Sequence, residues 1–304
     1  HPALIGYTSG TTGRPKGAVL SHGNLLSSIR GLEIAWRWTS HDILILALPL
    51  FHMHGLGVGL HGSLAVGAKA VLLPQFKVDQ VLNAISEFKA TLFFGVPTMY
   101  SRIIDSGRAN ELDVLRLCVS GSAPLSSSLH ESIQRESGQV VLERYGMTET
   151  AMLVSNLYEG ARKAGSVGIP LPGVEIRLEG GASEIEVRGP NVFEGYWERP
   201  DANAEAFRDG WFRTGDLGRI DEDGYLAITG RAKELIISGG FNIYPREIED
   251  VLCEHDAITE CAVVGVADDE WGEAVAAFVV ADRDIGYEEA RDFVGRRLAH
   301  YKRP

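Results

Sequence analysis

Short apolar runs at Ile43–Leu48, Ala70–Leu73, Thr91–Gly95, Leu115–Ser120 and Val140–Glu143 alternate with longer stretches in which apolar residues return every three or four positions, as in Val78–Phe88 and Leu125–Glu136. The short runs read as buried strands, and the rhythm of about 3.6 residues reads as helices with one apolar face. Such alternation predicts an α/β sheet with crossover helices and with ligand loops at the strand ends. Pro97 after Gly95-Val96 and Pro124 after Gly121-Ser122-Ala123 mark two of those ends. From Gly168 to Ile228 the pattern changes to short strands broken by turns such as Gly180-Gly181 and Asp221-Glu222-Asp223-Gly224, which predicts a small β subdomain. Beyond Gly230-Arg231, the segments Glu234–Ile237, Glu247–Cys253, Ala262–Val266 and Ala274–Val280 outline a compact α+β unit, with Arg231-Ala232-Lys233 as the linker to it.

A length of 304 residues fits about two domains, and 45% hydrophobic residues with a mean hydropathy of −0.01 fit a globular chain. No run approaches the ~18 apolar residues of a membrane span. The longest, Ile43 to Phe51 and Ala274 to Ala281, read as strands, the first being interrupted by Pro49. His1 leads straight into a strand without a signal or transit pattern, so the cytoplasm is the expected location. A net charge of −12 argues against nucleic acid or an anionic membrane as partner. Any anionic ligand must therefore be met by locally placed cations. The three cysteines, Cys118, Cys253 and Cys261, contain no CxxC pair and are odd in number, which argues against a disulfide framework and for a reducing compartment.

The chemistry concentrates first in Tyr7-Thr8-Ser9-Gly10-Thr11-Thr12-Gly13-Arg14-Pro15-Lys16-Gly17. Glycines let backbone N–H groups crowd an anion, hydroxyls add donors, and Lys16 supplies positive charge, so the stretch reads as a polyphosphate-holding loop. It lacks the Gly-Lys-Ser/Thr spacing of a Walker loop, and a flexible linker is the competing reading. Three further motifs follow in order: Glu143-Arg144-Tyr145-Gly146-Met147-Thr148-Glu149-Thr150, Trp211-Phe212-Arg213-Thr214-Gly215-Asp216 and Gly230-Arg231-Ala232-Lys233-Glu234. Taken together, they resemble the acyl-adenylate-forming superfamily, and the resemblance covers nearly the whole chain. Within that superfamily, Phe51-His52-Met53-His54-Gly55, Gly95-Val96-Pro97-Thr98-Met99-Tyr100-Ser101-Arg102 and Ser120-Gly121-Ser122-Ala123-Pro124 are most similar to malonyl-CoA synthetases.

The resemblance implies a large AMP-binding domain over residues 1–232, with its β subdomain at about 168–230, and a small mobile C-terminal domain over 233–304. It implies a ligase with ATP, Mg²⁺ and CoA, in which a carboxylate attacks the α-phosphate of ATP and the acyl-AMP then yields to a thiol. By motif position, Thr8, Ser9, Gly10, Thr11, Thr12, Gly13 and Lys16 hold the β- and γ-phosphates, while Thr148 and Glu149 meet the α-phosphate and Mg²⁺. Gly121, Ser122, Ala123, Pro124, Glu143, Arg144, Tyr145, Gly146 and Met147 form the adenine side, and Asp216 with Arg231 the ribose side. Lys233 takes the hinge position, and Ser238, Gly239 and Gly240 shape the pantetheine path. For the acid, His52, Met53, His54 and Met147 wall the site, and Arg102 with Ser122 pairs the second carboxylate of malonate. Met53 is bulkier than the residue relatives often place between the histidines, which bears on methylmalonate. Relatives also carry a long portion before the phosphate loop and a Gly-Lys motif beyond Leu298-Ala299-His300-Tyr301-Lys302-Arg303-Pro304, so the resemblance implies a fragment of a longer enzyme.

Bland readings stand beside several of these. Glu149 also suits a solvated helix start, Tyr145 a core position, Asp216 a turn, and Arg102 a surface helix. His52 and His54 form a His-x-His pair on an expected strand end, but no third metal ligand accompanies them. Gly57-Val58-Gly59-Leu60-His61-Gly62 matches GxGxxG with Asp79 downstream, although close helix packing explains small residues there equally well. The rival functions are a medium-chain or aryl acid–CoA ligase, which needs no buried arginine, and an adenylation module that loads a carrier protein.

Overall fold

The computed structural model describes residues 1–8, 15–181 and 183–304. It begins with a hairpin in which β1 (Pro2–Thr8) runs antiparallel to β2 (Lys16–Ser21), with Thr8 opposite Lys16. Ser9, Gly10, Thr11, Thr12 and Gly13 of the expected phosphate loop lie outside the described residues. Ser21 then caps α1 (His22–Trp36) in a reciprocal box with Asn24. The Asn24 amide also donates to the carbonyls of Pro190 and Val192, at 2.8 and 2.9 Å.

Seven strands build the main sheet: β3 (Ile43–Leu46), β4 (Lys69–Leu72), β5 (Leu92–Gly95), β6 (Leu117–Ser120), β7 (Leu142–Tyr145), β8 (Val154–Ser155) and β9 (Ile169–Pro170). Their order is β4-β3-β5-β6-β7-β8-β9, parallel from β4 to β7 and antiparallel beyond. The parallel strands fall within one or two residues of the apolar runs. They are joined through α2 (His61–Val66), α3 (Val78–Phe88), α4 (Pro97–Asp105) and α5 (Ser127–Ser137). Both faces of such a sheet are covered, which is why its strands read as continuous apolar runs rather than alternating ones. Phe93 and Phe94 of β5 point to opposite faces and join different cores. Phe93 packs with Ile85, Tyr100 and Ile103, and Phe94 with Trp36, Trp38 and Leu46. The register Gly95↔Ser120 and Ser120↔Glu143 brings three carboxyl ends level. The chain leaves β3 outward to β4 and returns to β5 on the other side of β3, so the crevice rule places a ligand at that edge.

Asp42, just before β3, ties this sheet to the end of α1. Its carboxylate accepts from Arg116 Nε and an Arg116 terminal nitrogen, both at 2.6 Å, from Thr91 Oγ1 at 2.7 Å and from the Thr39 amide at 2.8 Å. Burial pushes this carboxyl up, but the bonds from Arg116, Thr39 and Thr91 outweigh it and hold the group below its ordinary 3.8. A depressed carboxyl contributes stability above its unfolded pKa and loses it as pH falls through the folded value. Arg116→Met is expected to lower the unfolding free energy at pH 7 by about 3 kcal/mol and to flatten its fall below about pH 4. Urea titrations of both proteins from pH 7 to pH 3 check both parts.

The strand-rich stretch expected from Gly168 to Ile228 contains β10 (Glu175–Glu179), β11 (Glu184–Arg188), β12 (Gly195–Tyr196), β13 (Phe207–Arg208), β14 (Trp211–Ile220) and β15 (Leu226–Arg231), with α6 (Pro200–Ala206) among them. All but β12 form a five-stranded sheet of order β10-β11-β14-β13, with β15 on β14. β12 instead pairs with β2, Gly195 to Val19 and Tyr196 to Ala18. The last part holds β16 (Ile236–Ser238), β17 (Phe241–Ile243), α7 (Pro245–Leu252), β18 (Ile258–Asp268), β19 (Gly272–Ala281) and α8 (Tyr287–Gly295). Its sheet has the order β17-β16-β19-β18, and Ile236, Ile243, Ile248, Leu252, Val263 and Val294 form its core. The chain divides into two compact units: residues 1–177, 186–213 and 220–227, and residues 178–185, 214–219 and 228–304. Among the described residues no helix is long and apolar enough to cross a membrane.

Candidate active site

At the carboxyl edge of the main sheet, in the first unit, the chain leaves β6 through Gly121 and Ser122, and Ser122 holds a left-handed φ of 69°. Gly121 is required because the Arg144 guanidinium lies against it, where a Cβ would meet Nε at 2.5 Å. Arg144 donates to Ser122 Oγ at 3.2 Å, and Ser122 Oγ lies 3.4 Å from His54 Nδ1. Arg144 and His54 are each only 4% exposed. Burial lowers the Arg144 pKa to about 9, which leaves it charged at neutral pH. Burial, and then the Arg144 charge, hold His54 well below its ordinary value, so it is neutral. Arg144 Nε and His54 Nε2 have no hydrogen-bond partner, and no ion pair involves Arg144, among the described residues. A buried guanidinium without an anion is costly, which makes this triad a candidate anion site.

His54 does not end a strand as expected. It opens a π-helical turn, His54–Leu60, with its ring stacked on Phe94 at 6.2 Å. The reason is the run of glycines: Gly55 lies on the Pro49 carbonyl, Gly57 under the Met53 sulfur, Gly59 on Leu46 and Gly62 on Trp38. Close packing thus accounts for the GxGxxG match. His52 is exposed and sits against the Phe51 ring at 4.5 Å, so the two histidines do not share a bonded group. Among the described residues no group of three or more His, Cys, Asp or Glu could hold a metal ion. Arg102 is exposed on α4 and, among the described residues, makes no ion pair and no bond to Ser122. Ala123 and Pro124 are exposed beyond Ser122, while Glu143 is buried and Tyr145 half-buried on β7. Gly146 packs against the Ala151 carbonyl, and the half-buried Met147 donates its amide to Thr150 Oγ1 at 3.3 Å.

A second cluster gathers Lys16, Thr148 and Glu149. Gly6 of β1 has no side chain where the Thr148 methyl lies. Glu149 is buried in a turn rather than solvated at a helix start, and its carbonyl accepts from the Phe193 amide at 2.8 Å. Its Oε1 accepts from the Tyr196 hydroxyl at 2.9 Å, while Lys16 Nζ lies 5.1 Å from the centre of the Tyr196 ring. Tyr196 therefore links the two expected phosphate-site charges by a hydrogen bond on one side and a cation–π contact on the other. Burial, and then the Glu149 charge, raise its pKa and keep the hydroxyl a donor. Nothing in the local sequence pointed to Tyr196, because its partners are remote along the chain and β12 spans only two residues. Tyr196→Phe is expected to cost about 1–3 kcal/mol of stability, since it removes one donor from a buried carboxylate. Urea unfolding at pH 7 measures it.

In the second unit, Asp216 is 5% exposed and pairs with Arg231 Nε at 3.1 Å. Gly215 has a φ of 73° inside β14 and the Asp216 amide donates to Thr214 Oγ1 at 3.1 Å, so Thr-Gly-Asp is an irregular part of the strand that presents a carboxylate rather than a separate turn. Lys233 is largely exposed and lies 3.7 Å from Glu234. Ser238 pairs with Phe241 across Gly239 and Gly240, whose φ values of 55° and 83° are what a type I′ hairpin turn demands. The Trp271 ring covers Gly239, leaving open space beside Gly240.

Comparison with known proteins fits this order of elements. The family model for the AMP-binding enzyme matches residues 1–197, and that for the AMP-binding enzyme C-terminal domain matches residues 247–304. The chain is 39% identical to a malonate–CoA ligase of Arabidopsis thaliana, over 100% of this chain and 56% of that protein. It is 42% identical to a feruloyl-CoA synthase of Amycolatopsis sp, over 99% of this chain and 64% of that protein. The crystal structure of ATP-bound MatB from Rhodopseudomonas palustris superimposes with a TM-score of 0.95 at 45% identity, covering 100% of this chain and 63% of that one. The chain thus spans between about half and two thirds of these relatives. It belongs to the AMP-binding enzyme family.

Proposed function

We propose that the chain is part of an AMP-forming acid–CoA ligase that activates malonate, using ATP to make malonyl-AMP and then transferring the acyl group to CoA. The observation that carries the choice of acid is Arg144, a buried guanidinium that among the described residues bonds only to Ser122 Oγ and stands next to a neutral His54. An apolar acid would leave that charge uncompensated, whereas the non-reacting carboxylate of malonate neutralises it through a guanidinium fork. Arg102, exposed on α4, takes the outer side of this role, and Met53, His52 and Met147 limit room at the acid's C2.

In the adenylation step, Lys16 with Thr8 and residues 9–13 neutralises the departing pyrophosphate, and Thr148 contacts the α-phosphate. Glu149 would offer Mg²⁺ a hard carboxylate oxygen. The chemistry such an ion would supply there is neutralisation of the charge that develops on the phosphates. Tyr196 holds the Glu149 carboxylate in place, Asp216 accepts from the ribose hydroxyls, and Arg231 fixes Asp216. Ser238, Gly239 and Gly240 line the thiol path, and Lys233 acts at the hinge ahead of them. The test is malonate-dependent pyrophosphate release by the whole enzyme, compared with acetate, hexanoate and ferulate. Malonate is expected to be preferred by tenfold or more. Preference for ferulate or hexanoate would support the rival ligases, and acyl transfer only to a carrier protein would support a loading module.

A further inference from the structure

The second unit contains a feature that the acid–CoA reaction does not use. Cys253, at the end of α7, and Cys261, on β18, stand with their sulfurs 3.3 Å apart. Both are partly exposed, and Cys261 Sγ also lies 3.3 Å from the Glu249 carbonyl. The third cysteine, Cys118, is fully buried in the main sheet against Tyr100, where burial raises its thiol to about 12. Sequence spacing concealed the pair, since seven residues separate the two cysteines and only the return of β18 along α7 brings them together.

We propose that Cys253 and Cys261 form a reversible dithiol–disulfide site whose reactant is a low-molecular-weight disulfide of the glutathione type. The Cys253 thiolate attacks one sulfur of the small disulfide, forming a mixed disulfide and expelling one thiolate. Cys261 then gives up its proton, attacks the Cys253 sulfur and expels the second thiolate. One disulfide is reduced to two thiols as the protein dithiol is oxidised, and the two protein protons end on the two released thiols. The order follows from the surroundings. The hydrogen bond from Cys261, against the effect of burial, lowers Cys253 to about 7, with Arg246 favouring the thiolate and Asp250 and Glu249 opposing it. Cys261 is raised by its contact with Cys253 and by burial. Cys253 is therefore the entry point and Cys261 the resolving thiol. Formation of the bond pins the end of α7 to β18 without demanding a large approach, because the sulfurs already touch.

The 304-residue protein, equilibrated in mixtures of glutathione and its disulfide at pH 7, alkylated and digested, reports the site directly. The expected result is a Cys253–Cys261 cross-linked peptide that rises in one reversible transition with the proportion of glutathione disulfide, while Cys118 stays alkylated. Cys261→Ser is expected to stop at a glutathione adduct on Cys253. Cys253→Ser is expected to form its adduct at Cys261 at least about threefold more slowly, the balance of a larger thiolate fraction and a weaker nucleophile. The proposal is overturned if the wild-type protein gives only adducts, only cross-links between chains, or no change over the whole range. A wild-type result needs no variant to fold, so the site is judged even if a serine substitution unfolds the unit.

Discussion

Arg144→Met is expected to lower kcat/KM for malonate by a hundredfold or more while leaving the Kd for ATP within about threefold. Truncating one side of a buried charge pair costs about 2–5 kcal/mol, and each 1.4 kcal/mol is a factor of about ten. The methionine fills the guanidinium's volume beside Gly121 and leaves Ser122 and His54 in place, so the loss falls on the acid rather than on the sheet edge. A monocarboxylate of similar size should lose far less, because it has no second carboxylate to pair. Arg102→Met, on the exposed α4 position, is the informative companion: if Arg102 carries the counter-charge, its loss should exceed that of Arg144→Met. Steady-state pyrophosphate release from the whole enzyme with both acids, together with ATP titration, decides between them. Equal losses for malonate and the monocarboxylate would sink the dicarboxylate reading.

Glu149→Gln is expected to slow acyl-AMP formation by roughly 10²–10³, since a ligand worth several kcal/mol at a developing charge is removed with the shape retained. Lys16→Ala should act on the same step. Substitution at Gly240 should instead slow thioester formation, with acyl-AMP formation largely kept. The turn geometry sharpens that contrast. With a φ of 83°, Gly240→Leu suffers backbone strain as well as bulk, so Gly240→Asn, which tolerates left-handed φ, separates the two. Trapping labelled acyl-AMP without CoA resolves the steps. If the Gly240 variants block acyl-AMP as strongly as Lys16→Ala, the division into a phosphate end and a thiol end is wrong.

The periodic signals were legible wherever one face or one layer governs the choice of residues. Val78–Phe88 shows a single apolar stripe and is α3 over those same residues. Leu92–Gly95 and Leu117–Ser120 are buried throughout and appear as apolar runs bounded by turns. By contrast, α1 packs Leu25, Ile29, Leu32 and Trp36 inward while exposing Leu26 and Ile34, which blurs its stripe. Periodicity places His54 at a strand end because it cannot see the close contacts of Gly55, Gly57 and Gly59 that wind a π turn instead. Among the candidate residues, Lys16, Glu149 and Asp216 are visible as charges in ordered motifs. The burial of Arg144 beside Ser122, and the link made by Tyr196, depend on contacts between distant segments, which no local pattern records.

The strand that bears Lys16 is completed from far along the chain. β12 flanks β2, and nearby Asn24 holds Pro190, a residue 166 positions away in sequence. Closing a loop of that length costs roughly 4–5 kcal/mol of chain entropy before any contact is gained. On a ribosome adding about 5–20 residues per second, β1, β2 and Asn24 must wait roughly ten to thirty seconds for their partner to emerge. The main sheet from β3 to β7 has meanwhile been fully synthesised, its parallel neighbours being close in sequence apart from their crossovers. The sheet that bears Lys16 is thus completed late, after the strands of the main sheet have been made.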